Sequence, residues 1–261
     1  MSGSYKRCIA ISPPRIEPRE MPLNDHLARR VSDYGNRRSL GFRFRAHRIR
    51  RFLGLIDGMQ PTTEPVRILD LGGTRTYWQI VPEALLAENR LAITIVNLPG
   101  ELSDREDSVF RFVSGDGCDL SSFDDNSFDV VHSNSVLEHV GDWSRMKAFA
   151  HEIRRLAPRY FVQTPNFWFP VEPHFMFPFF HWLPEPVRVR MMLLTGLGHY
   201  AQAHSVDGAV TAVQSARLVN RRMMSSLFPD AAIFTERVAL LPKSLMAIRN
   251  ASETSRATTR A

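Results

Sequence analysis

Polar side chains and glycines follow four apolar runs of the chain, each at the point where the run ends. In a parallel sheet these ends share one edge, and ligands bind there. Glycine lets backbone approach a ligand, an amide after the second run can bond ribose hydroxyls, and a carboxylate between glycines can accept a hydrogen bond from an adenine amino group. The spacing predicts a nucleotide-binding edge. Its residues are Asp70, Gly72, Gly73 and Thr74 after the first run, Asn97 and Leu98 after the second, Asp116, Gly117 and Cys118 after the third, and Ser133 and Asn134 after the fourth.

The elements that position these residues alternate between strands and helices. Near-continuous apolar strands separated by helical segments predict a parallel sheet covered on both faces. A helix is predicted over Trp143–Leu156, where apolar residues recur every three or four positions between an N-cap at Asp142 and a stop at Pro158. The predicted strands are Val66–Leu71, Ala92–Leu98, Val109–Val113, Phe128–Ser133 and Tyr160–Gln163.

An amphipathic pattern over Arg37–Ile56 predicts a further helix, in which arginines lie between the apolar residues. Two interpretations stay open. The helix packs beside the core with its arginines solvated, or it is a basic segment that contacts a membrane or an anionic substrate.

The later part of the domain departs from the strand and helix alternation. Residues 167–200 concentrate aromatic residues and prolines, which predicts a lid or insertion, with a short helix over Val187–Leu194. Ala232–Arg237 and Ser244–Ile248 predict two strands of a hairpin, joined through Leu240-Leu241-Pro242.

The ends of the chain differ in composition from this domain, which is predicted to span residues 36–249. Residues 1–35 are rich in proline and charge and predict a loosely ordered arm, and residues 250–261 predict a disordered polar tail. Residues 1–60 hold 13 Lys and Arg against 5 Asp and Glu, whereas the rest of the chain holds 20 against 22. The basic character therefore belongs to the N-terminal part. No nucleic-acid-binding motif accompanies it, so nucleic-acid binding is not expected.

Composition limits the remaining classes. With 261 residues and 44% apolar content the chain can form one sizeable core. No apolar run approaches the roughly 20 residues that cross a bilayer. Two cysteines give neither a disulfide framework nor a zinc spacing. A reducing cytoplasm is the expected compartment.

Four segments together resemble the class I S-adenosylmethionine-dependent methyltransferases, and most closely their "type 11" small-molecule group. They are Asp70–Thr74, Gly115-Asp116, Phe123–Val131 and Ser135–Val140, within a resemblance that spans roughly residues 60–250. The resemblance implies an α/β, Rossmann-like fold with a seven-stranded, mostly parallel sheet and an antiparallel C-terminal hairpin. It also implies methyl transfer from S-adenosyl-L-methionine to a small-molecule acceptor.

The resemblance implies roles residue by residue. Asp70 and the Gly72-Gly73 turn would hold the methionine part of the cofactor, Asn97 the ribose, and Asp116 with the backbone of Gly117 and Cys118 the adenine. Ser133 and Asn134 would line the methyl-transfer end. Two positions depart from the family pattern: Thr74–Trp78 replaces the usual third glycine, and Asn97 stands where an acidic residue is usual.

His139 and His174 are the candidate catalytic residues, because a histidine can accept a proton from a hydroxyl acceptor near neutral pH. Some similar methyltransferases bind a divalent metal through Glu-x-x-Glu-His. Here Ser135 stands at the first acidic position and leaves only Glu138 and His139, so no metal site is predicted.

The aromatic segment 167–184 favours an aromatic or lipid-like acceptor, although peripheral membrane contact or an oligomer interface would also account for it. Two other functions stay open. One is a non-catalytic methyltransferase-like module that binds a partner. The other is a nicotinamide oxidoreductase, against which the turn Gly72–Thr76 argues because it is not Gly-x-Gly-x-x-Gly.

Overall fold

The computed structural model describes residues 39–57, 59, 64–82, 85–86, 90–100 and 105–251. The predicted arm over residues 1–35 and most of the predicted tail lie outside these residues. None of the helices described is long and apolar enough to cross a membrane.

Seven strands form one mixed sheet in the order β3-β2-β1-β4-β5-β7-β6. The first five strands are mutually parallel, and β7 runs antiparallel to both of its neighbours. The predicted seven-stranded α/β sheet is confirmed. Its strands are β1 Val66–Leu71, β2 Leu91–Asn97, β3 Phe110–Ser114, β4 Val130–Asn134, β5 Tyr160–Pro165, β6 Ala232–Val238 and β7 Leu241–Arg249.

Six helices are described: α1 Leu40–Asp57, α2 Arg75–Trp78, α3 Trp143–Leu156, α4 Glu185–Leu194, α5 Val206–Gln214 and α6 Arg221–Leu227. The predicted bounds of α3 are confirmed, and the Asp142 side chain accepts a hydrogen bond from the Arg145 backbone N–H as its N-cap. Short 3₁₀ turns lie at Leu137–His139 and Phe180–Trp182.

Each face of the sheet carries its own hydrophobic cluster. On one face α3 and α6 pack over the central strands, and on the other α1 packs with Trp78 against β1 and β2. Both faces are thus covered, as expected for parallel strands that read as apolar on both sides.

Helix α1 packs beside the core, with Ile49, Phe52 and Leu55 buried, but its arginines are not all solvated. Arg48 is 6% exposed and forms an ion pair with Glu236, at 2.6 Å between Nη2 and Oε2. The expectation of solvated arginines is therefore wrong for Arg48, which lies on the side of α1 that faces the sheet.

The predicted hairpin has a shorter connection than expected. Strand β7 begins at Leu241, and Ala239 adopts a left-handed conformation at the turn. Pro242 pairs only with β6, because pairing of β7 with β5 begins at Ser244. A proline is tolerated there because only one neighbouring strand pairs with this position.

The aromatic segment builds a third hydrophobic cluster with α4 and α5, centred on Phe175, Phe180, Met192 and Tyr200. Four large aromatic side chains of this segment remain exposed: Trp168, Phe177, Phe179 and Trp182. The short helix predicted over Val187–Leu194 is present as α4 and begins two residues earlier.

Candidate active site

The glycine turn after β1 wraps around the Asp70 carboxylate. Asp70 is fully buried, and its Oδ2 accepts a hydrogen bond from Trp78 Nε1 at 2.7 Å. Its Oδ1 lies 2.7 Å from His132 Nδ1. A Cβ atom at Gly73 would come within 1.7 Å of Asp70 Oδ2, so only glycine allows the turn to pass over the carboxylate. The buried Asp70 carboxylate therefore holds the turn in this conformation.

Asn97 joins the second strand to the same turn. Its Nδ2 donates to the Gly73 carbonyl at 2.9 Å, which leaves Oδ1 to accept a further hydrogen bond. Gly72 has a φ of 70° and is exposed, with Thr74 beside it as the N-cap of α2. The turn and Asn97 thus form one continuous edge at the ends of β1 and β2.

Asp116 follows β3 and lies beside the ends of the preceding strands, because the Gly115 N–H bonds the Asn97 carbonyl. Its Oδ1 accepts from the Cys118 backbone N–H at 2.9 Å. Arg145 of α3 bonds both of its oxygens, at 2.7 and 2.6 Å. The Asp116 side chain remains 28% exposed. Sequence reasoning missed Arg145, although its place in the first turn of α3 was predictable.

Ser133 and Asn134 lie at the end of β4, in a polar network that includes a side chain of α1. Ser133 Oγ is buried and donates to the Leu71 carbonyl at 3.3 Å. Arg48 Nη1 bonds Asn134 Oδ1 at 3.3 Å and Gln163 Oε1 at 3.0 Å. Burial alone would raise the pKa of Glu236, but the paired Arg48 guanidinium holds it below its ordinary value. Arg48 thus ties the ends of β4 and β5 together.

His139 and His174, which come from different segments, meet beyond β4 and β5 with ring centroids 4.6 Å apart. His139 Nδ1 donates to the Ser215 carbonyl at 2.9 Å, and His174 Nδ1 bonds the Glu172 carboxylate. Glu138 lies beside them and is 1% exposed. The donor atoms of Glu138, His139 and His174 all lie within 4.8 Å of one another.

Charge pairing fixes the protonation of the Glu172–His174 contact. Burial would lower the pKa of His174, but the negative charge and hydrogen bond of Glu172, with the charge of Glu138, raise it above its ordinary value. Burial would raise the pKa of Glu172, but His174 and the Phe175 N–H hold it below its ordinary value. Glu172 is the second site residue that sequence reasoning missed, although it stands two positions before His174.

A cavity of about 730 Å³ lies between the aromatic segment and the chain around α5 and α6. Its walls include Phe167, Phe175 and Phe180, and also the buried Glu172. Because Glu172 bonds His174, the cavity is adjacent to the histidine pair. None of the predicted cofactor residues lines this cavity.

Comparison with known proteins gives a partial match in sequence. The family described as a methyltransferase domain matches residues 84–159, which is less than half of the chain. The matched part runs through β2, β3, β4 and α3, in the strand order described above. Residues 84–159 are therefore similar to a methyltransferase domain. The match includes Asn97, Asp116 and His139, and it excludes the glycine turn and His174. No match is found among curated proteins.

Solved methyltransferases are similar in structure to this chain at low identity, and one of the following three has a TM-score above 0.5. The DszA carbon methyltransferase is 12% identical, with 87% of this chain and 58% of that chain covered and a TM-score of 0.53. The CurJ carbon methyltransferase is 11% identical, with coverage of 79% and 54% and a TM-score of 0.48. Phosphoethanolamine N-methyltransferase 2 of Haemonchus contortus is 13% identical, with coverage of 77% and 52% and a TM-score of 0.45. The chain spans little more than half the length of each.

Proposed function

We propose that the protein transfers a methyl group from S-adenosyl-L-methionine to a small-molecule acceptor. The observation that carries this proposal is the methyltransferase sheet, with a glycine turn, Asn97 and Asp116 at the ends of adjacent strands β1, β2 and β3. The bound cofactor supplies an electrophilic methyl group on a positively charged sulfur. The protein then has to hold the cofactor, align the acceptor and exclude water.

The residues at this edge fit an adenosyl group. Gly72 leaves exposed backbone without a side chain, Asn97 Oδ1 can accept from a ribose hydroxyl, and the exposed part of Asp116 can accept from the adenine amino group. Gly73, Thr74, Leu98, Gly117 and Cys118 complete the proposed cofactor edge. Arg145 would share the Asp116 carboxylate with the adenine. We assign Asp70 an indirect role, because both of its oxygens are already bonded.

We propose that the cavity beside Glu172 receives the acceptor, which is aromatic or lipid-like. Its volume lies in the range of about 300–1,000 Å³ typical of small-molecule pockets. Phe167, Phe175 and Phe180 give it an apolar wall. Ser133 and Asn134 would face the methyl-transfer end, between this cavity and the cofactor edge.

Activation of the acceptor is assigned to His139 and His174. In both rings Nδ1 is hydrogen-bonded to the chain, so Nε2 is the nitrogen that can act on the acceptor. Since the two Nδ1 partners come from the chain itself, both rings are held in place before an acceptor arrives. Such preorganisation is what an alignment-dependent reaction requires.

Calorimetry with S-adenosylhomocysteine tests this function on the full chain. We expect one-to-one binding, with no binding of NADH under the same conditions. Asp119→Ala is a matched control for Asp116→Ala, since Asp119 lies on the same turn and is exposed. If S-adenosylhomocysteine did not bind, a non-catalytic methyltransferase-like module would be the better description.

A further inference from the structure

We propose that Glu138, His139 and His174 form a divalent transition-metal site, best suited to Zn²⁺. The cluster offers one carboxylate oxygen and two imidazole nitrogens, which all lie within 4.8 Å of one another. With metal–ligand bonds of roughly 2.0–2.2 Å, inward shifts of about 1 Å bring these three atoms onto one ion. Two imidazoles with one carboxylate suit zinc or iron, and disfavour magnesium, which takes oxygen ligands.

Each of the three side chains is already oriented by a hydrogen bond at one of its polar atoms. His139 Nδ1–H donates to the Ser215 carbonyl, and His174 Nδ1–H donates to the Glu172 carboxylate. Glu138 Oε2 accepts from Thr164 Oγ1 at 2.9 Å. Metal-binding histidines almost always donate their second ring N–H to a carboxylate or a carbonyl, which fixes the tautomer and the ring direction. The same arrangement occurs here for both rings.

An unpaired buried oxygen points to a missing cation. Glu138 Oε1 is buried and has no hydrogen-bond partner among the described residues. A buried carboxylate oxygen without a partner is costly, and a metal ion would satisfy it. Sequence reasoning predicted no metal because Glu138 and His139 supply only two ligands. The fold adds the third, His174, from a segment 35 positions further along the chain.

Three protein ligands leave a coordination position open, as in catalytic zinc sites. If the proposed methyl transfer is correct, a hydroxyl of the acceptor would replace water at this position and release its proton to solvent. With the ion bound, His139 and His174 would activate the acceptor through the metal and not as bases themselves. The oxygen would then be the nucleophile, held beside the cavity that Glu172 lines. The metal site itself does not depend on this role.

Titration of the chelator-treated full chain with Zn²⁺ alone tests the site. We expect one-to-one binding that weakens about 100-fold in His174→Gln and about 10-fold in Glu172→Gln, which removes only the partner of a ligand. His151→Gln is the matched control, since His151 is exposed on α3. Equal affinities in the unaltered chain and in His174→Gln would overturn the proposal.

Cobalt substitution decides the question without any variant. Co²⁺ bound by this ligand set should give visible absorption bands that disappear on addition of excess Zn²⁺. If no such bands appear, the cluster holds a proton on His174 between two carboxylates, and the metal proposal is wrong. S-adenosylhomocysteine binding, measured on the same sample, reports separately on the proposed function.

Discussion

The two halves of the sheet edge use their polar side chains differently. At the ends of β1 to β3, Asp70 and Asp116 bond other parts of the protein. Beyond β4 and β5, Glu138 keeps an unpaired oxygen, and His139 and His174 keep one unbonded ring nitrogen each among the described contacts. The first half shapes a surface that a ligand can lie against. The second half holds donor atoms that can bind or activate a reacting group.

The largest expected effect concerns the second half. His174→Ala should lower turnover, followed by labelled-methyl transfer to a panel of phenolic and lipid-like acceptors, by about 10²–10⁴-fold. S-adenosylhomocysteine affinity should stay within about twofold, because His174 lies outside the proposed cofactor edge. The same substitution at the exposed His151 serves as the control. Equal losses of turnover and of affinity would show that His174 is structural.

Asp70→Asn should destabilise the turn at the end of β1. Both Asp70 oxygens face donors, from Trp78 and His132, so an amide nitrogen in place of one oxygen leaves a buried donor unpaired. We expect a loss of about 3 kcal/mol in the free energy of unfolding, measured by urea denaturation. Asp119→Asn, at an exposed position, should change it by less than about 0.5 kcal/mol. An unchanged stability in Asp70→Asn would contradict the role assigned to this carboxylate.

Asp116→Ala should weaken cofactor binding with little change in the free energy of unfolding. Its ion pair with Arg145 is partly exposed, so unfolding should change by less than about 1 kcal/mol. The Kd for S-adenosylhomocysteine should rise about tenfold, which corresponds to about 1.4 kcal/mol. Calorimetry on this variant and on Asp119→Ala checks both values. An affinity equal to that of the unaltered chain would remove Asp116 from the cofactor edge.

The smallest effect is the pH dependence of the Glu172–His174 pair in chelator-treated protein. Because the pKa of His174 is raised, this residue stabilises the folded state fully below its ordinary pKa of 6.5. The stabilisation is lost as pH rises through the raised pKa. Because the pKa of Glu172 is lowered, this residue stabilises the folded state fully above its ordinary pKa of 4.5. The stabilisation is lost as pH falls through the lowered pKa. The pair therefore stabilises most between these two ordinary values.

Glu172→Gln provides the corresponding measurement. Its loss of unfolding free energy should be about 1 kcal/mol between pH 4.5 and 6.5 and should shrink at higher pH. The histidine NMR signals of His174 should titrate at lower pH in this variant than in the unaltered chain. A loss of stability that is independent of pH would mean that packing, and not charge, holds the pair together.

Much of the fold could be predicted from local pattern. Strand β1 and helix α3 were predicted with their observed bounds, because apolar runs and capping residues mark them in the sequence. The partners of the polar residues could not be predicted. Asp116 meets Arg145, Arg48 meets Glu236, and His139 meets His174 only after distant segments are packed. Spacing along the chain places a residue at the edge, but it does not determine which bonds that residue still has free.

A crystal structure with S-adenosylhomocysteine bound would test the cofactor edge and its relation to the acceptor side together. We expect the ribose at Asn97, the adenine at Asp116 and the sulfur directed toward the cluster of Glu138, His139 and His174. A ligand bound away from the ends of β1 to β3, or a sulfur directed away from that cluster, would contradict this expectation.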